Sequence, residues 1–350
     1  MDKKMSRAAR AAAILGICLL CVCWATATFA AEAKPVTAKP NAITWKMHSG
    51  FSPNQFYTRA WNAFAQEVLK RTNGELVITV YPSSVLGFTQ PNTLTALRDQ
   101  IVPIAEISAS ISEGLMPELK EISVFYLFDT PEKEAKAYAA VRADMEKVFL
   151  AKYKVKILAT CIGAPTEMFT KKKIDSLDDM KGLKIRTAGA AMANQAKMLG
   201  MVPTTIDSKE VGMALERSMV DGLYTSLQGF NDDKFYQYVK VANMVHQSHV
   251  KMFIGVNADA FNKLPPAIQT QVQAAAAWLE KEGYNKVRDD DAAIAKKNLA
   301  ASGVEFFTPP AAVLNAMREV GRKLLDENAA KAGPEAQARL AKMLSAAGVK

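Results

Sequence analysis

Reactive side chains are scarce in this 350-residue chain, which has three histidines and four cysteines. Three of the cysteines, Cys18, Cys21 and Cys23, fall within the first thirty residues and have no lipobox before them. That leaves Cys161 alone downstream, which excludes an internal disulfide there. Cys161 has no acid or base close in sequence and reads as a buried, inert thiol. Catalytic signatures are missing too: there is no P-loop, no G-x-G-x-x-G, no G-x-S-x-G and no H-E-x-x-H. His246 and His249 have H-x-x-H spacing but head a β-branched, aromatic run, where residues i and i+3 face opposite sides, so no metal site is expected. Basic residues are spread out, with one short run at Lys171 to Lys173, and nucleic acid is not an expected partner. Long apolar runs are also absent, apart from Ala11 to Trp24. Lys3, Lys4, Arg7 and Arg10 precede it and ATATFAA follows, the order of a secretory signal peptide over 1–30 cut near Ala27 or Ala30. An uncleaved N-terminal anchor is the other reading of that run. Cleavage takes four Lys/Arg and one Asp from a net charge of +9, leaving +6 on an exported chain.

What the chain does contain is α/β alternation, twice over. Residues 31–42, AEAKPVTAKPNA, have two prolines and read as a flexible leader. ITWKMHSG follows as a strand with Ile43, Trp45 and Met47 on one face. From Asn54 to Thr72, Phe56, Ala60, Phe64, Val68 and Leu69 keep helical spacing, and Asn73-Gly74 stops the helix. ELVITVYPSS reads as a strand, Asn92 to Asp99 as a helix, and IVPIAEIS as a strand that Pro103 would place at an edge or in a bulge. This order predicts a sheet with parallel crossovers. The pattern restarts at YKVKILATCIG and continues through the Leu183–Ile185 strand, the Ala190–Leu199 helix, MVPTTI, a helix from about Ser208 opened by an Asp207/Glu210 capping box, VDGLYTS and HVKMFIGVN. Two lobes are therefore expected. Residues 43–160 form the first, completed by about 250–290, and 161–249 the second, completed by about 291–350.

From Pro265-Pro266 a proline-free run continues to Gly303, with Ile268, Val272, Ala275, Leu279, Val287, Ile294 and Leu299 near one face. As one helix over 266–301 it would be about 54 Å long, enough to span both lobes. The Asp289–Asp291 run in its middle reads as a solvated face.

The most specific local feature is MKGLKIRTAGAA, Met180 to Ala191. Arg186 ends a short strand just before small residues that open a helix. Strand end and helix N-terminus converge on the crevice where α/β proteins bind ligands, and Ala188, Gly189 and Ala190 allow backbone N–H groups to approach an anion. A guanidinium adds a planar fork matched to carboxylate oxygens. An ordinary solvated arginine satisfies the same spacing, and on spacing alone both readings stand.

DSLDDMKGLKIRTAG, LG-x-VPT, MALERSMVDG, the early YPSSVLG and the Pro-Pro before the long helix together resemble the solute-binding proteins of tripartite ATP-independent periplasmic (TRAP) transporters. The similarity runs from about Ile43 to about Leu324. It implies an α/β, two-lobed periplasmic binding protein fold with a long helix spanning both lobes. It also implies a periplasmic, monomeric, cofactor-free receptor that closes over a small organic acid and delivers it to integral-membrane permease subunits, without catalysis. By the same resemblance Arg186 takes the solute carboxylate. His48 follows the first strand, Glu106 and Ser108 end the third, Tyr224 and Thr225 follow V-D-G, Thr166 and Ser208 occupy pocket positions, and His246 or His249 lies near the hinge.

Departures from the family pattern narrow the solute. Sialate-binding members carry a second arginine near Thr166, where this chain reads GAPTEMF. They have Gln-Glu-Asn-Pro after V-D-G, where this chain has Leu-Tyr-Thr-Ser. Ser208 replaces an aromatic before the next motif, and the D-G-x-x-D turn of lobe one is Asp99-Gln100-Ile101-Val102-Pro103. These argue against sialate and C4-dicarboxylate sites. With Phe51, Tyr224 and Phe253 as apolar walls, the expected ligand is a small monocarboxylate, aromatic or 2-oxo. The competing classes are the binding protein of an ATP-driven importer, which lacks a helix spanning both lobes, and an exported hydrolase, which needs a nucleophile–base pair that three histidines give little room for.

Overall fold

The computed structural model describes residues 36–349 except 124 and 129, so the signal segment 1–30 lies outside the described residues. The end of the leader is tied down. Lys39 N–H donates to the Gly74 carbonyl at 2.9 Å, and its ammonium meets Glu75 Oε1 at 2.6 Å. β1 (Ile43–His48) buries Trp45 and Met47, and α1 (Phe56–Arg71) covers it with Phe56, Trp61, Phe64 and Val68. β2 (Leu76–Tyr81), α2 (Thr93–Arg98) and β3 (Ile104–Ser108) complete a parallel unit in the order β2-β1-β3. β3 is an interior strand, contrary to the edge expected from Pro103. That proline stands one residue before it, where its missing N–H costs nothing and its carbonyl still accepts from Asn257 N–H at 2.9 Å.

Two short helices, α3 (Ala109–Ser112) and α4 (Leu119–Ile122), lead to α5 (Pro131–Tyr153). The Thr130 hydroxyl caps α5 and Pro131 occupies its first turn. β4 (Val155–Thr170) is 16 residues long and belongs to both halves of the sheet. Its first part runs antiparallel to β9, and its last residues pair with β7 and β8. The register slips between Ile162 and Pro165. Gly163 lies at this bend, where a Cβ would press on the Val250 carbonyl at 2.8 Å.

The second half follows the same logic. β5 (Lys184–Thr187), α6 (Ala190–Met198), β6 (Val202–Thr205), α7 (Val211–Glu216), β7 (Gly222–Ser226) and α8 (Leu227–Asp232) give the order β4-β7-β5-β6. β8 (Val241–Asn243) joins the end of β4. β9 (His249–Asn257) then returns between β3 and β4, so β4 and β9 are the strands that pass from one lobe to the other.

After α9 (Ala258–Asn262), the long helix is continuous from Pro266 to Ala301 but not uniform. α10 (Pro266–Trp278) and α11 (Tyr284–Ala301) are joined by a π turn over Leu279–Gly283. The extra residue of that turn shifts the helical phase by one. The inward face therefore continues through Tyr284, Ala295 and Leu299, and Ile294, expected on it, is 56% exposed. Asp291 also departs from the expected solvated face, pairing with Arg59 at 2.5 Å. α10 shares a core with α1 and β1, whereas Leu299 at the end of α11 packs with Phe169 and Phe230 of the second lobe.

β10 (Glu305–Phe307) pairs with β8. α12 (Ala311–Ala332) then carries the chain back: Val313 and Met317 pack with Ile185 and Met192, Leu325 and Ala329 with the core around Ile107. α13 (Pro334–Ala346) continues in that first-lobe core through Leu340, Met343 and Leu344. The segment expected to complete the second lobe, about 291–350, therefore also packs against the core around Ile107. The amphipathic faces of α12 and α13 find partners on both lobes.

A buried ionic cluster pins α5 to β9. Glu134 accepts from Lys251 Nζ through one oxygen and faces His249 Nδ1 at 3.0 Å through the other, all three nearly inaccessible. Burial raises the Glu134 carboxyl, but Lys251 and His249 outweigh it and hold it below its usual value. Replacing Lys251 by Met leaves that carboxylate without its cation in the interior, and urea unfolding is expected to show a loss of about 3 kcal/mol.

Candidate functional site

β5 lies between β7 and β6, with Arg186 opposite Leu223 on one side and Thr204 on the other. The strand delivers Arg186 to the crevice end of the sheet with only 6% of its surface exposed. Its Nε and Nη2 donate to the Ile206 carbonyl at 3.0 and 2.9 Å, and Nη1 donates to the Tyr224 carbonyl at 3.3 Å. Three of the five guanidinium N–H groups are thereby used, leaving one on each terminal nitrogen. Burial lowers the Arg186 pKa to about 10, against the opposing fields of Asp207 and Asp233, so the group is cationic at neutral pH. Among the described residues no carboxylate is in ion-pair contact with it. A buried cation held only by carbonyl dipoles lacks full compensation for its lost hydration.

Arg186 lines a cavity of roughly 60 Å³, continuous with solvent, between the two lobes. The first lobe supplies Phe51, Gln55, Tyr57, Ser108, Ser110 and Ile111. The second supplies Met192, Ser208, Tyr224, Thr225, Asp233 and Phe235, and the crossing strands add Thr166 and Val250. The walls are therefore aromatic and hydroxyl-bearing around one guanidinium. Tyr224 contributes its ring and carbonyl. Its hydroxyl faces that of Tyr126 at 3.3 Å, and burial pushes its pKa up to about 12.

Six of the expected residues meet here: Arg186, Ser108, Thr166, Ser208, Tyr224 and Thr225. Three do not. Glu106 points under α1, where its carboxylate accepts from Ser49 Oγ at 2.9 Å, Gly50 N–H at 2.7 Å, Gln90 Nε2 at 3.0 Å and the Trp61 indole. Burial raises its pKa to about 6 despite those donors. His48 is fully buried, stacked on Phe88 at 4.1 Å, and burial lowers its pKa to about 4. His246 stands half exposed with Nδ1 on Glu167 at 2.9 Å, a hydrogen bond that raises its pKa. Phe253, expected as a wall, lies in the core against Phe149 and Tyr138. Cys161 is buried, and burial raises its thiol well above the usual range.

The N-terminus of α6 binds an anion, but that anion belongs to the protein. Glu113 reaches across from the first lobe and accepts the Ala191 N–H at 2.6 Å through Oε1. Gly189 makes the approach possible, since a Cβ there would collide with the Ser110 carbonyl. The opposite rim repeats the arrangement in reverse. Asp232 of the second lobe accepts the Phe56 N–H at the start of α1 at 3.1 Å and meets Arg59 Nη2 at 3.2 Å. Beside it Asp233 accepts from Ser52 Oγ at 3.0 Å and from Gln55 Nε2. Glu113, Asp232 and Asp233 escaped the sequence reading. The acid pair at the C-terminal end of α8 was a usable signal, whereas nothing near Glu113 marks its partner. Among the described residues no group of three His, Cys, Asp or Glu side chains is arranged to hold a metal.

Comparison with known proteins adds five findings. The family model described as bacterial extracellular solute-binding protein, family 7 (DctP), matches residues 48–332. The 2,3-diketo-L-gulonate-binding periplasmic protein YiaO of Escherichia coli is 25% identical over 252 residues, 71% of this chain and 75% of its own. The sialic acid-binding periplasmic protein SiaP of Vibrio cholerae is 25% identical over 311 residues, 86% of this chain and 93% of its own. An uncharacterized Haemophilus influenzae protein is matched over 65% of its length, at 26% identity. Among solved structures, DctP7 of Bordetella pertussis, an extracytoplasmic solute receptor binding pyroglutamic acid, is similar with a TM-score of 0.81 and 25% identity, over 88% of this chain and 100% of that one.

Burial raises the Glu113 carboxyl to about 7, against its hydrogen bonds from the α6 N-terminus and the field of Lys120. A folded-state value above the unfolded one means the native state holds the extra proton. Stability from this group is therefore lost as pH rises from about 4.5 to about 7. Thermal melts at pH 5 and pH 8 should show wild type losing about 1–3 kcal/mol relative to Glu113→Gln over that interval. Contributions from Glu106 and His48 are common to both proteins and cancel.

Proposed function

Since this chain belongs to the bacterial extracellular solute-binding proteins of family 7, we propose that it captures a small monocarboxylic acid by a salt bridge to Arg186 and delivers it to a TRAP permease. Family members are receptors rather than enzymes, and small acids are their cargo. The observation that carries the finer reading is Arg186 itself: a buried guanidinium with two unused N–H groups and no ion-pair partner, facing a cavity. A carboxylate on those two donors makes a paired, charge-assisted contact and completes the compensation that the two carbonyls begin.

One carboxylate fits better than two. Among the described residues that line the cavity Arg186 is the one arginine, and Asp233, also in the lining, would repel a second negative charge. Phe51, Tyr57 and Phe235 favour a flat or cyclic body, and the hydroxyls of Ser108, Ser110 and Thr225 supply donors for a 2-oxo group. Pyroglutamic acid, the ligand of the Bordetella receptor, is one acid of this kind. The helix over 266–301 favours this reading over that of an ATP-driven importer's binding protein. The same reading takes residues 1–30 as an export signal and has the receptor work in the periplasm as a monomer.

Arg186→Ala should weaken binding of the captured acid by roughly a hundredfold or more in isothermal titration, because the carboxylate is then buried without its cation. A change of less than twofold would remove Arg186 from the site.

A further inference from the structure

The cavity holds a second charge without a partner. Asp232 has Arg59 as its counter-ion, but the adjacent Asp233 is met only by the neutral donors Ser52 Oγ and Gln55 Nε2. Asp233 and Arg186 line the same cavity, and each feels the other's field, yet they form no ion pair. Their own hydrogen bonds hold them apart. Arg186 is tethered to the Ile206 and Tyr224 carbonyls, and Asp233 to the first lobe's Ser52 and Gln55. An ionised carboxylate has about four acceptor positions, and two neutral donors leave the others free.

From this separated pair we infer that the site is bipolar, and that its acid carries a hydrogen-bond donor (ammonium, ring or amide N–H, or hydroxyl) which Asp233 reads. This rests on the carboxylate sitting at Arg186. An acid lacking a donor would bury Asp233 against an apolar or acceptor atom and leave its lone pairs unsatisfied, the costly direction of the hydrogen-bond asymmetry. Asp233 is then the specificity-determining residue. Its hydrogen bonds to Ser52 and Gln55 also link ligand reading to lobe contact, because one carboxylate touches both the first lobe and the bound acid.

Matched acids differing only in the donor test this: pyroglutamate against 5-oxotetrahydrofuran-2-carboxylate, proline against tetrahydrofuran-2-carboxylate, and mandelate against O-methylmandelate. Titration calorimetry of wild type should give at least tenfold tighter binding for the donor-bearing member of whichever pair binds. Asp233→Asn keeps an acceptor oxygen for Gln55 and offers an amide N–H to the Ser52 hydroxyl, and its unliganded melting temperature reports that it folds. It should reduce that ratio to about threefold or less. Equal binding of a pair by wild type, or an undiminished ratio in the variant, overturns the inference. If only donor-free acids such as benzoate or phenylpyruvate bind, the inference falls while capture of a monocarboxylate stands. If no acid binds, the reading of the site itself falls.

Discussion

An arginine buried without a counter-ion is the constraint around which the second lobe is built. Arg186 is held in the interior by two backbone carbonyls, which take three of its N–H groups and leave one on each terminal nitrogen. That demands a strand end between β6 and β7, a carbonyl presented by Ile206 after β6, and another by Tyr224 within β7. The α/β alternation thus does more than make a core. It sets a cation at the crevice of a sheet, in the lining of the cavity.

The lobes meet through acids placed on helix starts. Glu113 sits on α6 and Asp232 on α1, so each lobe lends a carboxylate to the other's helix. Backbone N–H groups at a helix start lack internal partners and favour negative charge. These contacts therefore hold the cleft rim without drawing on Arg186. Under the proposed function this is a division of labour: helix N-termini and acids serve the rim, and the guanidinium is left for the solute. The crossing strands β4 and β9 and the two back-running helical paths carry the chain between the lobes behind that rim.

Much of this was legible in the sequence, for identifiable reasons. Alternation and helical spacing placed β1, α1, β5, α6 and β7, and Arg186 stood out because a charge ends a strand just before small residues. Ser108, Thr166, Ser208, Tyr224 and Thr225 followed from the family pattern around strand ends. Glu106, His48 and His246 misled because their fate is decided by distant residues: the Trp61 indole and Gln90, Phe88, and Glu167. Glu113 was invisible for the same reason, its partner lying 78 positions away. The π turn was hidden in an alanine-rich helix whose weak periodicity tolerates a one-residue slip, and that slip turned Ile294 outward.

The most direct test of the central claim is a crystal structure with a captured monocarboxylic acid. The account predicts both carboxylate oxygens about 3 Å from Nη1 and Nη2 of Arg186, with Glu113 still on the start of α6. A carboxylate bound instead at the α6 N-terminus, with Glu113 displaced and Arg186 still unpaired, would contradict it.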